Sequence, residues 1–222
     1  MMLRRFPNRE EAGRALARQL LSYRGRKDLL VLALPRGGVP VAEPVARALG
    51  APLDLLIVRK LGVPGEEELA FGAMTRGGVR VLNDEIVAAC RLTSEDIERV
   101  VAREELELER RAALYRGGRP VPDPHGKVII LVDDGLATGA TMRAAVAALL
   151  TEDPLQIVVA VPVAAGETCR EFDQIDPRVT IICLLTPSDF QAVGLWYDDF
   201  SQVTDDEVIR LLAQPPEPSS RP

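Results

Sequence analysis

The chain lacks any apolar run long enough to cross a bilayer: its longest, Ile157 to Ala165, is nine residues with a proline inside it, against about twenty for a spanning helix. It lacks an apolar stretch behind its first arginines. Arg4 and Arg5 run into Phe6-Pro7-Asn8-Arg9-Glu10-Glu11, so no secretory leader is expected there. Cysteine is scarce: Cys90, Cys169 and Cys183 are odd in number and widely spaced, which favours buried, reduced packing thiols over a disulfide framework or a zinc site. A cytoplasmic protein is the expectation. Histidine is rarer still, with His125 alone in a Pro-Asp-Pro-His-Gly turn. That turn belongs at the surface, and no cysteine has a nearby histidine to activate it as a nucleophile. No glycine loop ends in Gly-Lys-Ser/Thr and no Gly-x-Gly-x-x-Gly follows a strand pattern, which removes the P-loop and dinucleotide readings. A net charge of −6 with an isoelectric point near 5.0 argues against an extended nucleic-acid footprint and leaves room for a local basic pocket.

What is present is an ordinary globular composition, 47% hydrophobic and 27% charged over 222 residues, enough for a sizeable core. Asn8 with Glu11 starts a helix carrying Ala12, Leu16 and Leu20 on one face, stopped at Gly25. Leu29 to Leu34 reads as a buried strand, Pro35-Arg36-Gly37-Gly38 as a loop, and Val41, Val45 and Leu49 as the stripe of a helix ending at Gly50. Leu53 to Val58 repeats the strand pattern. Leu61 to Gly78, rich in glycine and glutamate, shows no sustained period and is expected to be a long, mobile loop. Thr93-Ser94-Glu95-Asp96 caps a charged helix to Tyr115, with an apolar stripe at Ile97, Val101, Leu108 and Ala112 and four-apart pairs Glu95/Arg99 and Glu107/Arg111. Strands are expected at Val128–Val132, Ile157–Val161 and Val179–Leu184, a helix over Thr141–Leu150, and a last helix capped by Thr204 with Glu207 and running to Leu212. The alternation predicts an α/β fold, a mostly parallel sheet flanked by helices, with ligands at the carboxyl ends of its strands. One domain over 1–212 is expected, with a helical insertion at 83–118, a closing hood at 185–212 and a disordered tail at 213–222.

The sharpest string is Val128-Ile-Ile-Leu-Val132-Asp133-Asp134-Gly135-Leu136-Ala137-Thr138-Gly139-Ala140-Thr141. A buried strand delivers two adjacent carboxylates, and a small-residue turn then opens a helix whose free N–H groups suit a phosphate. Thr138 and Thr141 add hydroxyls. Adjacent acids at a strand end can accept from a vicinal diol or approach magnesium, and both jobs belong to a phosphorylated sugar.

This string resembles the phosphoribosyl diphosphate (PRPP) motif of type I phosphoribosyltransferases, closest to its adenine-type version. Leu34-Pro35-Arg36-Gly37-Gly38-Val39 is similar to the pyrophosphate loop of bacterial xanthine-guanine phosphoribosyltransferases. The resemblance spans roughly residues 29 to 185. It implies the type I fold and transfer of ribose 5-phosphate from PRPP to a nitrogenous base, a purine by preference, with release of pyrophosphate and with Mg2+ bridging pyrophosphate and ribose oxygens. Asp133 and Asp134 would hold the ribose hydroxyls and stand near the metal. The backbone of Ala137, Thr138, Gly139, Ala140 and Thr141 would hold the 5′-phosphate. Arg36 and Gly37 would meet pyrophosphate, across a strained or cis bond at 35–36 or 36–37. The segment after Arg59-Lys60 would be the catalytic lid, with Lys60 neutralising the leaving group; a lysine snorkelling at a strand end is the competing reading. Ala137 stands where 6-oxopurine enzymes carry an acid. Glu66, Glu67 or Glu68 could take over acceptor activation, or form a solvated acidic run. Phe190 would stack on the base and Asp198 approach the metal, unless Phe190, Trp196 and Phe200 simply anchor the C-terminal segment. The partners implied are PRPP and a small base, with a homodimer expected and no nucleic acid or membrane. A PRPP- or nucleotide-sensing regulator is the alternative function, and a hydrolase with an aspartate nucleophile a remote third.

Overall fold

A computed structural model describes residues 5–75, 80–117 and 120–213, apart from the side chain of Glu68. Residues 214–222 of the expected tail, and 76–78 of the expected loop, lie outside the described residues. Contacts divide the chain into two units, Met1–Leu55 with Pro124–Gly139 and Asp153–Pro222, and Leu56–Asp123 with Ala140–Glu152.

The first unit is built on five strands: β1 (Leu29–Ala33), β2 (Leu53–Leu55), β6 (Val128–Val132), β7 (Gln156–Val163) and β8 (Val179–Leu185). They lie in the order β2-β1-β6-β7-β8, every pair parallel. β1 and β6 are buried at every position, which is why they read as unbroken apolar runs rather than alternating ones. Helix α1 (Arg9–Gln19) starts where expected, with the Asn8 side chain accepting from the Glu11 N–H at 2.9 Å. It stops at Gln19, earlier than the Gly25 boundary, and Leu21–Tyr23 continue as a 3-10 turn. α2 (Gly38–Leu49) begins directly after the glycine loop and packs on α1. The remaining helices of this unit are α6 (Gly166–Phe172) and α7 (Asp205–Leu212), the latter capped as expected by Thr204, whose Oγ1 accepts from the Glu207 N–H at 3.2 Å. Phe6, Phe190 and Val193 pack against Ala12, Val163, Trp196 and Tyr197.

The second unit corrects the expected loop at 61–78. In its place stand β3 (Val58–Val63), β4 (Glu66–Thr75) and β5 (Arg80–Leu82), an antiparallel sheet in that order. The alternation is there, with Leu61 and Val63 buried on β3 and Phe71 and Ala73 on β4. Gly62, Gly72 and the glutamates mask it, and the register between β3 and β4 shifts at Leu61–Val63. The expected strand at Leu53–Val58 is divided in the same way: β2 ends at Leu55, and Val58 opens β3 in the other sheet. The rest of the unit is helical, with α3 (Asp84–Ala89), α4 (Ser94–Arg116) and α5 (Ala140–Thr151). Thr93 and Asp96 form a full capping box at the start of α4. Glu107 pairs with Arg111 as expected, whereas Arg99 pairs with Asp96. Both α4 and α5 pack on β3. Among the described residues no helix is long and apolar enough to cross a membrane.

Cys169 and Cys183 are joined in a disulfide, which corrects the expectation of three reduced thiols. α6 folds back onto β8 and brings the two together; the odd count merely leaves Cys90 free. Spacing along the chain carries no information about that return.

Candidate ligand site at the carboxyl ends of the parallel strands

Because β1 and β6 are neighbours and parallel, with Ala33 opposite Val132, the loops that follow them emerge side by side. The Leu34 N–H donates to the Val132 carbonyl at 2.9 Å, and the Gly38 N–H to the Leu34 carbonyl at 3.1 Å. Between them the Pro35–Arg36 peptide bond is cis, one of the two bonds named above. Gly37 has no room for a side chain: an added Cβ would stand 2.1 Å from Asp134 Oδ2. The glycine loop and the acidic pair are therefore in direct contact.

Asp133 and Asp134 leave the end of β6 together, and the Asp134 N–H donates to Asp133 Oδ1 at 2.8 Å. Burial, and then the neighbouring Asp134 charge, push the Asp133 carboxyl well above the usual carboxylate range. Burial also raises Asp134, and the guanidinium of Arg9 opposes that rise. Arg9 Nε donates to Asp134 Oδ2 at 2.8 Å, and its Nη1 to the Ser201 carbonyl at 2.8 Å. The Tyr197 hydroxyl donates to the Asp134 carbonyl at 2.6 Å. Burial and the Asp134 charge hold that phenol above its ordinary range.

Beyond the acids, Leu136 bridges to the end of β7, donating to Val163 and accepting from Ala165 at 2.9 and 3.0 Å. α6 walls the turn that follows. Thr168 Oγ1 donates to the Ala137 carbonyl at 2.8 Å. Gly139 sits at φ +70°, with Phe172 and the Thr168 methyl 2.9 Å from where a Cβ would be, so a side chain is excluded by both conformation and space. α5 starts at Ala140, and Ala137, Thr138, Ala140 and Thr141 are all exposed. The geometry is that of a small-residue turn leading into the N-terminus of a twelve-residue helix, where first-turn N–H groups have no intrahelical acceptor and anions are favoured.

Of the remaining residues singled out above, Arg36 is half-exposed, its Nη1 3.7 Å from Asp205 Oδ1 at the start of α7. Phe190 packs into the Trp196–Tyr197 cluster. Asp198 is exposed and donates its N–H to the Phe6 carbonyl at 2.9 Å. Lys60 is exposed on β3, opposite Ala73, and Glu66 and Glu67 are exposed on β4; all three belong to the second unit. His125 is exposed.

Arg9, Tyr197 and Thr168 escaped the sequence reading. One signal for Arg9 was available: it is a cation at the first position of α1, where the helix dipole disfavours positive charge, so a tertiary partner had to account for it.

The chain matches the phosphoribosyl transferase domain family over residues 2–198. Two Mycobacterium tuberculosis proteins, from strains CDC 1551 / Oshkosh and ATCC 25618 / H37Rv, carry phosphoribosyl transferase as a provisional name. Each is 45% identical over 207 residues, which is 93% of this chain and 46% of theirs. The chain thus spans about half the length of the curated relatives it matches. The crystal structure of TT1426 from Thermus thermophilus is 44% identical, with a TM-score of 0.82 over 94% of this chain and 97% of that one. By sequence and by fold together, this chain belongs to the phosphoribosyl transferase domain family.

Proposed function

We propose that the chain transfers ribose 5-phosphate from PRPP to a nitrogenous base, a purine by preference, releasing pyrophosphate. The observation that carries this reading is the contact between Gly37 of the glycine loop and the Asp134 carboxylate, which supports pyrophosphate and ribose sites sharing one sheet edge. In the transfer, the bond from C1 of the ribose to pyrophosphate oxygen breaks, a bond from C1 to a ring nitrogen forms, and the base gives up a proton. The sugar passes through an oxocarbenium-like state, so positive charge on the leaving group supplies much of the acceleration.

Asp133 and Asp134 accept from the ribose diol. The turn Ala137–Gly139 and the first N–H groups of α5, from Ala140 and Thr141, bind the 5′-phosphate. Arg36 exchanges its partner Asp205 for pyrophosphate, and Lys60 neutralises the departing charge. Phe190 serves as the stacking ring for the base, and Glu66, Glu67 or Glu68 would assist the acceptor if a carboxylate does.

Two adjacent carboxylates are hard oxygen donors that fit Mg2+, an ion usually held by one or two carboxylates together with substrate phosphates. Among the described residues no group of three or more ligating side chains exists. Asp133 and Asp134 would hold the ion, with Asp198 beside them, and when bound it supplies charge neutralisation on pyrophosphate. A homodimer in the cytoplasm completes the proposal. Alkylation of free thiols at the moment of lysis checks the compartment through the state of Cys169 and Cys183.

The test is pyrophosphate release from PRPP and Mg2+ over a panel of purine and pyrimidine bases, with the Asp133→Asn/Asp134→Asn double variant as control. Base-dependent release that falls about a hundredfold or more in the control is the expected result, since two hydrogen bonds to charged acceptors are lost. Tight PRPP binding with no release for any base would replace the enzyme by a sensor. Unchanged release in the control would remove the acids from the site.

A further inference from the structure

Arg9 occupies a place that its own helix does not favour. It is the first residue of α1, where a cation opposes the helix dipole, and its side chain is only 11% exposed, so it has also given up most of its water. What compensates is tertiary. Its guanidinium bonds Asp134 and the Ser201 carbonyl and lies 3.8 Å from the centre of the Phe200 ring, an arrangement that holds a cation and fixes its plane. Phe200 packs on Tyr197 with ring centres 5.0 Å apart, and Tyr197 in turn donates to the Asp134 carbonyl. The segment that carries these rings is tied to the residues just before α1: the Phe6 N–H donates to the Trp196 carbonyl at 2.8 Å, and the Asp199 N–H to the Pro7 carbonyl at 3.0 Å. Asp134 is thus gripped at its carboxylate by Arg9 and at its carbonyl by Tyr197, while Gly37 closes on the same carboxylate from the glycine loop.

A vicinal diol is neutral. It can donate two hydrogen bonds to a carboxylate pair, but it cannot balance two adjacent negative charges withdrawn from water. When a diol is bound without a metal, a built-in cation balances part of that charge, and here it fixes one carboxylate without covering the other. We propose that Arg9 is the positioning residue of the diol reader: it binds one oxygen of Asp134, balances one of the two charges, and thereby sets the preference for ribose over 2-deoxyribose phosphates. This rests on the diol role given to Asp133 and Asp134 above. It adds to that role a residue outside both motif strings.

Calorimetric titration of the full chain with ribose 5-phosphate, 2-deoxyribose 5-phosphate and inorganic phosphate tests it, for the parent and for Arg9→Gln and Arg9→Lys. The parent is expected to favour the ribose compound by about tenfold or more, the size of a hydrogen bond to a charged group. In Arg9→Gln that preference should fall to within about twofold while inorganic phosphate binds as before, and Arg9→Lys should restore part of it, because it keeps the charge and loses the planar fork. Three results overturn the proposal. An undiminished preference in Arg9→Gln would leave the diol reading intact and remove Arg9 from it. A uniform loss for all three ligands in both variants, with a lowered melting temperature, would make Arg9 a fold element only. Tighter binding in Arg9→Gln would make it a competitor for the site. A parent that binds phosphate and shows no preference between the two sugars would instead fail the diol reading itself.

Discussion

β6 places five apolar residues in a row, all buried, and withholds its first charge until Asp133; β3, by contrast, carries Arg59 and Lys60 in mid-strand and buries only Leu61, Gly62 and Val63. β1 and β6 are buried at every position and β7 at all but its first, so a charge inside one of them would be desolvated without a partner, and polar chemistry is pushed to the strand ends. The antiparallel sheet, with α4 and α5 packed on it, keeps room for charge along its strands, and it accommodates one where α4 offers a counter-ion: Arg59 Nε bonds the buried Glu104 carboxylate at 2.7 Å. The contrast teaches where to look for function in each half. In the parallel unit the charged groups of the candidate site follow the strand ends. In the antiparallel unit charge lies along the strands themselves, and single residues there are harder to read.

The largest expected difference is in core truncation. Ile130→Ala, at a fully buried position of β6, should destabilise the chain by about 2–5 kcal/mol, measured by urea unfolding. If hydrogen exchange then rises equally in β1 and in β3, the division into two units does not hold energetically. Next is Glu104→Ala, which strands Arg59 in a half-buried site. A loss of about 2 kcal/mol is expected, less than for a fully buried pair because Arg59 retains some solvent, with faster exchange confined to β3 and α4. A silent Glu104→Ala would show that the second sheet does not depend on its ion pair.

Smaller and opposite in sign is Asp133→Asn. Burial and the adjacent charge raise the folded-state pKa of Asp133 above its unfolded value, so the protonated form favours the fold. As pH rises from the unfolded pKa to the folded one, ionisation withdraws that stability, and the penalty is complete once the folded-state value is passed. The variant should match the parent near the acid end of the range and become the more stable of the two as pH rises towards neutrality, while PRPP binding is lost. A stability gap independent of pH would dismiss a strained acidic pair. The smallest effect is reserved for Leu82→Ala at the exposed edge of β5, within about 0.5 kcal/mol of the parent by the same unfolding measurement.

Where determinants are local, the sequence was legible. Asn8, Thr93 and Thr204 cap the helices expected of them, because a cap is decided within about four residues. The turn after β6 was legible for the same reason: strand, acids, small residues and helix follow one another without interruption. β3 to β5 were not, since glycines and a run of glutamates conceal a two-residue period behind an irregular register. The Cys169–Cys183 bond and the hold of Arg9 on Asp134 were invisible, the latter joining residues 125 positions apart. Such contacts are chosen by topology, and neither the 14-residue spacing of the cysteines nor any window around Arg9 names the partner.

The pairing of β1 with β6 also sets a timetable. Their partnered residues are roughly a hundred positions apart, and closing so long a loop before any contact rewards it is slow. Gly37 can be synthesised, and β1 before it, while Asp134 is still unmade, so the sheet edge that carries both waits until β6 has paired with β1. In a refolding experiment, recovery of ligand affinity should therefore follow the phase in which the amides of β6 become protected, and trail the early helical signal.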